Sequence, residues 1–166
     1  VFLVLTDDVP LALWIPCMLG AVGIMFAFIL FSCPGGALAA GYSCVRAFLL
    51  AEFAASLEWQ LYYNYVAVTG ADLVPVRLVF LSVVYAGAFG LMFLLEKRSR
   101  PRQMRLSIAG RELAGALVIG ASVFFMSNLS YIQIVTPFSG QYVGEIFNIR
   151  TLVDLGGLAI LYAYHL

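Results

Sequence analysis

The chain has 166 residues, of which 63% are hydrophobic and only 11% charged; nine Lys and Arg balance nine Asp and Glu, so the formal net charge is zero. With a mean hydropathy of +1.00, there is too little polar surface to cover a soluble core of this size. The composition excludes an ordinary soluble domain, and the absence of a basic excess argues against a nucleic-acid binder.

The first apolar run, Val1 to Leu5, is too short to span a bilayer and reads as the tail of an earlier helix. No basic n-region or small-residue cleavage site marks a signal peptide, so the chain reads as a piece of a longer protein. A first span is predicted over residues 9–32, with Pro10 in its first turn, Pro16 as a potential kink, and Cys33-Pro34-Gly35-Gly36 as its stop. A second span covers 42–66 and ends in the turn Thr69-Gly70-Ala71-Asp72; a third covers 74–95. After a basic stretch, a fourth span covers 112–135, with a turn at Thr136-Pro137-Phe138-Ser139-Gly140, and a fifth begins near Phe147 or Asn148. Each run of about 22–25 residues is roughly 33–38 Å long, enough to cross the hydrocarbon with some tilt. The runs lack the alternating polarity of barrel strands. The expected fold is therefore all-α: a polytopic transmembrane bundle of five spans plus the tail of an earlier one.

Orientation follows from the basic stretch. Lys97, Arg98, Arg100, Arg102, Arg105 and Arg111 are six of the nine Lys and Arg residues, and short loops rich in such residues stay cytoplasmic. With that loop inside, Asp7, Asp8, Asp72 and Glu145 fall outside, with Arg77 and Arg150 as basic company, and Arg46 falls inside. The fifth helix then returns its C-terminal end to the cytoplasm. Trp14, Trp59, Tyr62, Tyr63, Tyr65, Tyr131 and Tyr142 fall in the outer half, where amphipathic rings favour the interface. Gly23 with Ala27, Ala86 with Gly90, and Ala116 with Gly120 are small-residue pairs that let helices approach. The basic residues also suit anionic lipid headgroups, at about 1 kcal/mol each.

The second span is unusually polar, carrying Glu52, Ser56, Glu58, Gln60 and Asn64. Ionisable groups inside a membrane are paired, protonated or turned toward water. Glu52 and Glu58 are six residues apart, roughly 120° around a helix, so they do not form one paired-carboxylate site. Glu52, Ser56, Trp59, Gln60 and Tyr63 share a side better. The fifth span adds Asn148, Arg150 and Asp154, the last two at i,i+4 spacing that permits an ion pair. The fourth adds Ser127, Asn128, Ser130 and Gln133 at the same level. Glu58, Asn128, Arg150 and Asp154 are thus expected to meet in the outer half of the bundle. Two readings remain open for these groups: a polar cavity that takes up a ligand or a proton, and interhelical hydrogen bonding that only sets packing.

Cys17, Cys33 and Cys44 show no metal-ligand spacing and read as small apolar thiols; His165, the only histidine, has no second ligand nearby. No phosphate loop, nucleophile elbow or zinc motif is present, and no catalytic residue is assigned.

Three strings carry a resemblance. They are Arg46-Ala47-Phe48-Leu49-Leu50-Ala51-Glu52-Phe53-Ala54-Ala55-Ser56-Leu57-Glu58-Trp59-Gln60-Leu61-Tyr62-Tyr63, Met126-Ser127-Asn128-Leu129-Ser130-Tyr131, and Phe147-Asn148-Ile149-Arg150-Thr151-Leu152-Val153-Asp154-Leu155-Gly156-Gly157. Together they resemble the N-terminal membrane region of bacterial sensor histidine kinases with a GHKL-type ATPase domain. The resemblance implies that residues 1–166 form a transmembrane sensor domain in a bacterial cell membrane. It further implies a cytoplasmic phosphoacceptor segment and an ATP- and Mg-dependent kinase core beyond Leu166, a homodimeric parent, and a cytoplasmic response regulator as partner. His165 lacks the phosphoacceptor context, and that role is not carried onto it. Glu52, Glu58, Gln60, Asn128, Arg150 and Asp154 become the candidates for receiving a signal or forming the polar network. A transporter or channel subunit using Glu52 and Glu58 is the alternative, although no inverted repeat is visible.

Overall fold

The computed structural model describes residues 11–32, 36–70, 73–99, 108–134 and 143–163, and these are all-helical apart from short junctions. The five helices are α1 (Leu11–Ser32), α2 (Gly36–Thr69), α3 (Val74–Ser99), α4 (Gly110–Ile134) and α5 (Val143–Ala163). Val1 to Leu5, the Pro10 turn, Cys33, Asp72, the Pro137 turn and His165 lie outside the described residues, as do Arg100, Arg102 and Arg105.

Helix ends follow local chemistry. The α2 helix stops at Gly70, whose φ of +68° is a left-handed conformation that suits glycine, and its N–H returns to the Val66 carbonyl at 2.8 Å. The α3 helix starts at Val74 with Pro75 in its first turn, where a missing N–H is harmless. At the start of α4, the Glu112 carboxylate accepts the Ala109 N–H at 3.1 Å, half of a capping box. Glu145 lies in the first turn of α5, at the positive end of the helix dipole.

At 34 residues, α2 is about 51 Å long and begins six residues before the expected Tyr42. The segment Gly36-Ala37-Leu38-Ala39-Ala40-Gly41 is glycine-flanked and small, yet rich in the strongest helix former, and it joins the helix. For the same reason of unmarked polarity, α5 begins at Val143, four residues before the expected Phe147.

The expectation of five spans is corrected. Among the described residues, two helices are long and apolar enough to cross a membrane: Gly36–Thr69, which is α2, and Val74–Lys97, most of α3. In α1, the apolar stretch among the residues with described side chains is Pro16–Ser32. The α5 helix places Glu145, Arg150 and Asp154 within 21 residues, and α4 opens on Arg111 and Glu112.

The α2 helix is the hub: α1, α3, α4 and α5 all pack on it, most extensively α5, and α4 also packs on α5. Contacts fix the directions. Tyr42 meets Leu161 and Gln60 meets Asn148, so α2 and α5 run antiparallel. Arg46 meets Glu96, and Tyr62 meets Phe80, so α2 and α3 are antiparallel as well. Gly41 lies against Leu113 and Gly120 against Val45, so α4 runs parallel to α2. The end of α3, the start of α4 and the end of α5 therefore share one end of the bundle.

Buried Tyr42, Val45, Leu49, Leu50, Ala116, Val123, Leu158 and Leu161 form the core where α2, α4 and α5 meet. Close approach there requires glycine. A Cβ on Gly157 would stand 3.1 Å from Ile119 and 3.4 Å from Val123, and one on Gly120 only 3.0 Å from Val45. Of the small-residue pairs, Ala116 with Gly120 is at a packed contact, whereas Gly23 and Gly90 face open space. The outer side of α3, including Leu78, Val79, Val83, Phe89 and Leu94, is exposed apolar surface, as expected of a helix facing lipid.

Gly120→Leu and Gly157→Leu are each expected to destabilise the purified protein by ~1–3 kcal/mol through overpacking. Gly90→Ala is expected to leave stability unchanged or raise it by up to ~1 kcal/mol. Unfolding in detergent micelles checks both; equal effects at the three positions would contradict the packing described.

Candidate functional site

The buried polar groups fall in layers along α2. In the central layer, Glu52 and Ser56 are one turn apart on α2, facing Arg150 and Asp154, one turn apart on α5. Arg150 Nη2 donates to Glu52 Oε2 at 3.0 Å, and Ser56 Oγ donates to Asp154 Oδ2 at 2.5 Å. Asp154 is 1% exposed, Ser56 0% and Glu52 8%. Each carboxylate thus has a donor from the opposite helix, as groups removed from water require. The spacing rule correctly put Arg150 and Asp154 on one face. What it missed is that Arg150 reaches across to Glu52 and that Asp154 takes its hydrogen bond from Ser56.

Glu58 lies about a turn and a half further along α2 and is 3% exposed. Its Oε1 is buried without a hydrogen-bond partner. Across from it are Arg77 and Tyr85 of α3, both within electrostatic range. Arg77 also stands over the Trp59 ring, 4.8 Å from its centroid, a cation–π contact. Tyr62, Tyr65 and Phe80 pack nearby as an aromatic group, and Gln60 donates to Asn148 of α5.

At the opposite end, Arg46 Nη2 donates to Glu96 Oε1 at 2.9 Å, and the Tyr162 hydroxyl donates to the same oxygen at 3.3 Å. The Arg46 guanidinium lies 4.1 Å from the Tyr162 ring centroid. One residue each from α2, α3 and α5 is thereby clasped together beside Lys97. Sequence reasoning missed this clasp. Its signal was that Glu96, an acid immediately before Lys97, falls at the membrane level of Arg46.

The structure therefore redistributes the sequence candidates. Glu52, Arg150 and Asp154 come together, joined by Ser56. Gln60 contacts Asn148 nearer the α2 C-terminal end, and Glu58 faces α3 instead of Asp154. Asn128 lies in α4, with its side chain outside the described set. Of the basic residues, Lys97 is exposed at the end of α3 and Arg111 is exposed in the first turn of α4; Arg98 is in α3 with its side chain outside the described set. Three buried polar atoms of the site lack hydrogen bonds: Glu58 Oε1, Arg150 Nε and Asp154 Oδ1. Among the described residues, no group of three or more His, Cys, Asp or Glu is placed to hold a metal.

Chemically, the central layer is a polar contact between two helices. Its carboxylates and guanidinium bind charge and hydrogen-bond donors, and α5 cannot slide along α2 without breaking the Glu52–Arg150 and Ser56–Asp154 bonds together. Comparison with family models, with curated proteins and with solved structures gives no match for this chain.

Ser56→Ala is expected to cost ~1–3 kcal/mol, because it leaves Asp154 buried without its donor. Ser82→Ala is the control. The Ser82 hydroxyl is exposed and bonds only the Leu78 carbonyl of its own helix, at 2.8 Å, so its loss should stay within ~0.5 kcal/mol. Equal losses in detergent unfolding would contradict the role given to Ser56.

Proposed function

We propose that this chain is the membrane-embedded signal-input domain of a bacterial two-component sensor histidine kinase, passing an extracellular or intramembrane signal to a cytoplasmic kinase core. The observation that carries the reading is the double attachment of α5. Its middle is tied to α2 through Glu52–Arg150 and Ser56–Asp154, and its end is tied to α2 and α3 through the Arg46–Glu96–Tyr162 clasp. Two of the sequence strings that resemble these kinases, 46–63 and 147–157, contribute the central-layer residues. In this reading, α2 and α3 cross the membrane, and the basic stretch lies in the cytoplasm. The α5 helix ends on that same side, where a kinase core would follow. A signal acts by binding one arrangement of α5 against α2 more tightly than the other, since only differential affinity shifts a conformational equilibrium. ATP and Mg belong to that core, and a second copy and a response regulator are its partners.

A transport subunit is the second reading. It draws on Glu58, whose buried Oε1 has no hydrogen-bond partner. Proton or cation flux in proteoliposomes that is abolished by Glu58→Gln would favour it.

Two tests separate the readings. The coding sequence beyond Leu166 should encode a phosphoacceptor segment and an ATPase domain; an unrelated continuation would overturn the kinase reading. In the full-length protein, Glu58→Gln, Arg150→Gln and Asp154→Asn should each change signal-dependent autophosphorylation several-fold. An unchanged response in all three would remove the polar layers from signalling.

A further inference from the structure

The central layer holds unequal charge. Glu52 and Asp154 bring two carboxyl groups into it, and Arg150 brings one guanidinium. Arg150 is committed to Glu52 by the 3.0 Å bond, while Asp154 receives only the Ser56 hydroxyl, a neutral donor, on Oδ2. Asp154 Oδ1 is buried and accepts no hydrogen bond, on a residue that is 1% exposed. Among the described residues, the surroundings supply no second positive charge. From α3, the titratable group facing the layer is Tyr85, which interacts electrostatically with Glu52 and Arg150. From α4, the neighbours are Ile119 and Val123, packed against Gly157 one turn beyond Asp154. Glu58, further along α2, adds another acid, with Arg77 as its own basic neighbour. An uncompensated carboxylate buried this deeply is neutralised instead of remaining charged.

We propose that the α2–α5 layer is a proton-binding site, in which the buried Asp154 carboxyl takes up a proton beside the Arg150–Glu52 pair. The ligand is a proton drawn from water. A metal ion is disfavoured by the guanidinium in the layer and by the lack of a third ligating side chain among the described residues. With one proton bound, the layer's two carboxyls and single guanidinium sum to zero charge. When the proton leaves, the layer carries a net negative charge in a site closed to water, and the α2–α5 contact weakens. The inference needs only the charge census and burial of the layer, and it stands whether or not a kinase core follows.

The test is infrared spectroscopy of the full chain in phosphatidylcholine nanodiscs, titrated downward from about pH 8 to about pH 5. Every sample carries Glu58→Gln, so that this separate buried acid does not contribute. A protonated-carboxyl C=O band equivalent to one group per chain is expected to grow in as the pH falls. Asp154→Asn should abolish it, and so should Glu52→Gln, because either leaves one carboxylate for one guanidinium. Arg150→Gln should double it. All three are near-isosteric, and thermal unfolding of each identifies folded samples. A missing band in the Glu58→Gln parent, or one that survives in either carboxyl variant, would overturn the proposal. An unchanged band in Arg150→Gln would overturn it as well.

Discussion

A guanidinium facing buried acid is the constraint on which the rest of this structure depends. The hub helix α2 carries Glu52, Ser56 and Glu58 with almost no exposure, and ionised carboxyls in such surroundings are tolerated only with partners in place. The α5 helix supplies the partner for Glu52 and in turn needs Ser56 to satisfy Asp154. Each helix therefore carries groups whose burial the other must compensate. This explains why α5 packs most extensively on α2 although it is not itself one of the two long apolar helices.

Such reciprocal burial demands close packing, and the glycines provide it. Gly120 brings α4 against Val45 of α2, and Gly157 lets α5 settle on Ile119 and Val123 of α4. The core of Leu49, Val123 and Leu158, with Ala88 and Met92 of α3 packed against it, completes the hydrophobic packing of these helices. Because α2, α4 and α5 contact one another at these points, displacing α5 disturbs hydrophobic packing as well as polar bonds. That combination favours discrete arrangements over gradual sliding. The clasp of Arg46, Glu96 and Tyr162 marks the far end of the same lever, beside the basic residues.

Much of this was legible in the sequence, and the failures have physical causes. The stop of α1 at Ser32 before Cys33-Pro34 was clear, whereas α2 runs to Thr69, three residues past the expected 66, before Gly70 ends it, and α3 runs to Ser99, four past the expected 95. Helix starts were misplaced at Gly36 and Val143, where alanine-rich or unmarked segments carry no boundary signal. The five-span expectation counted every apolar run of sufficient length, whereas among the described residues only Gly36–Thr69 and Val74–Lys97 are both long and apolar enough; α5 places Glu145, Arg150 and Asp154 within its 21 residues. The polar residues themselves were conspicuous, since buried acids are rare and stand out in an apolar chain. Their partners were not. Helical spacing predicts neighbours within one helix, whereas the Glu52–Arg150, Ser56–Asp154 and Arg46–Glu96 bonds cross between helices, at separations of 98, 98 and 50 residues. Tyr85 and Tyr162 gave no signal at all, because tyrosine is ordinary in an apolar helix until its neighbours are known.

The compensating role of Arg150 is tested most directly by comparing Arg150→Leu with the double variant Arg150→Leu/Glu52→Leu in unfolding measurements on the full chain in detergent micelles. Arg150→Leu leaves buried acid unbalanced and should cost ~3–5 kcal/mol. Removing Glu52 as well takes away much of that imbalance, so the double variant should recover more than half of the loss. A double variant as unstable as Arg150→Leu, or less stable still, would contradict the view that charge compensation between α2 and α5 holds this bundle together.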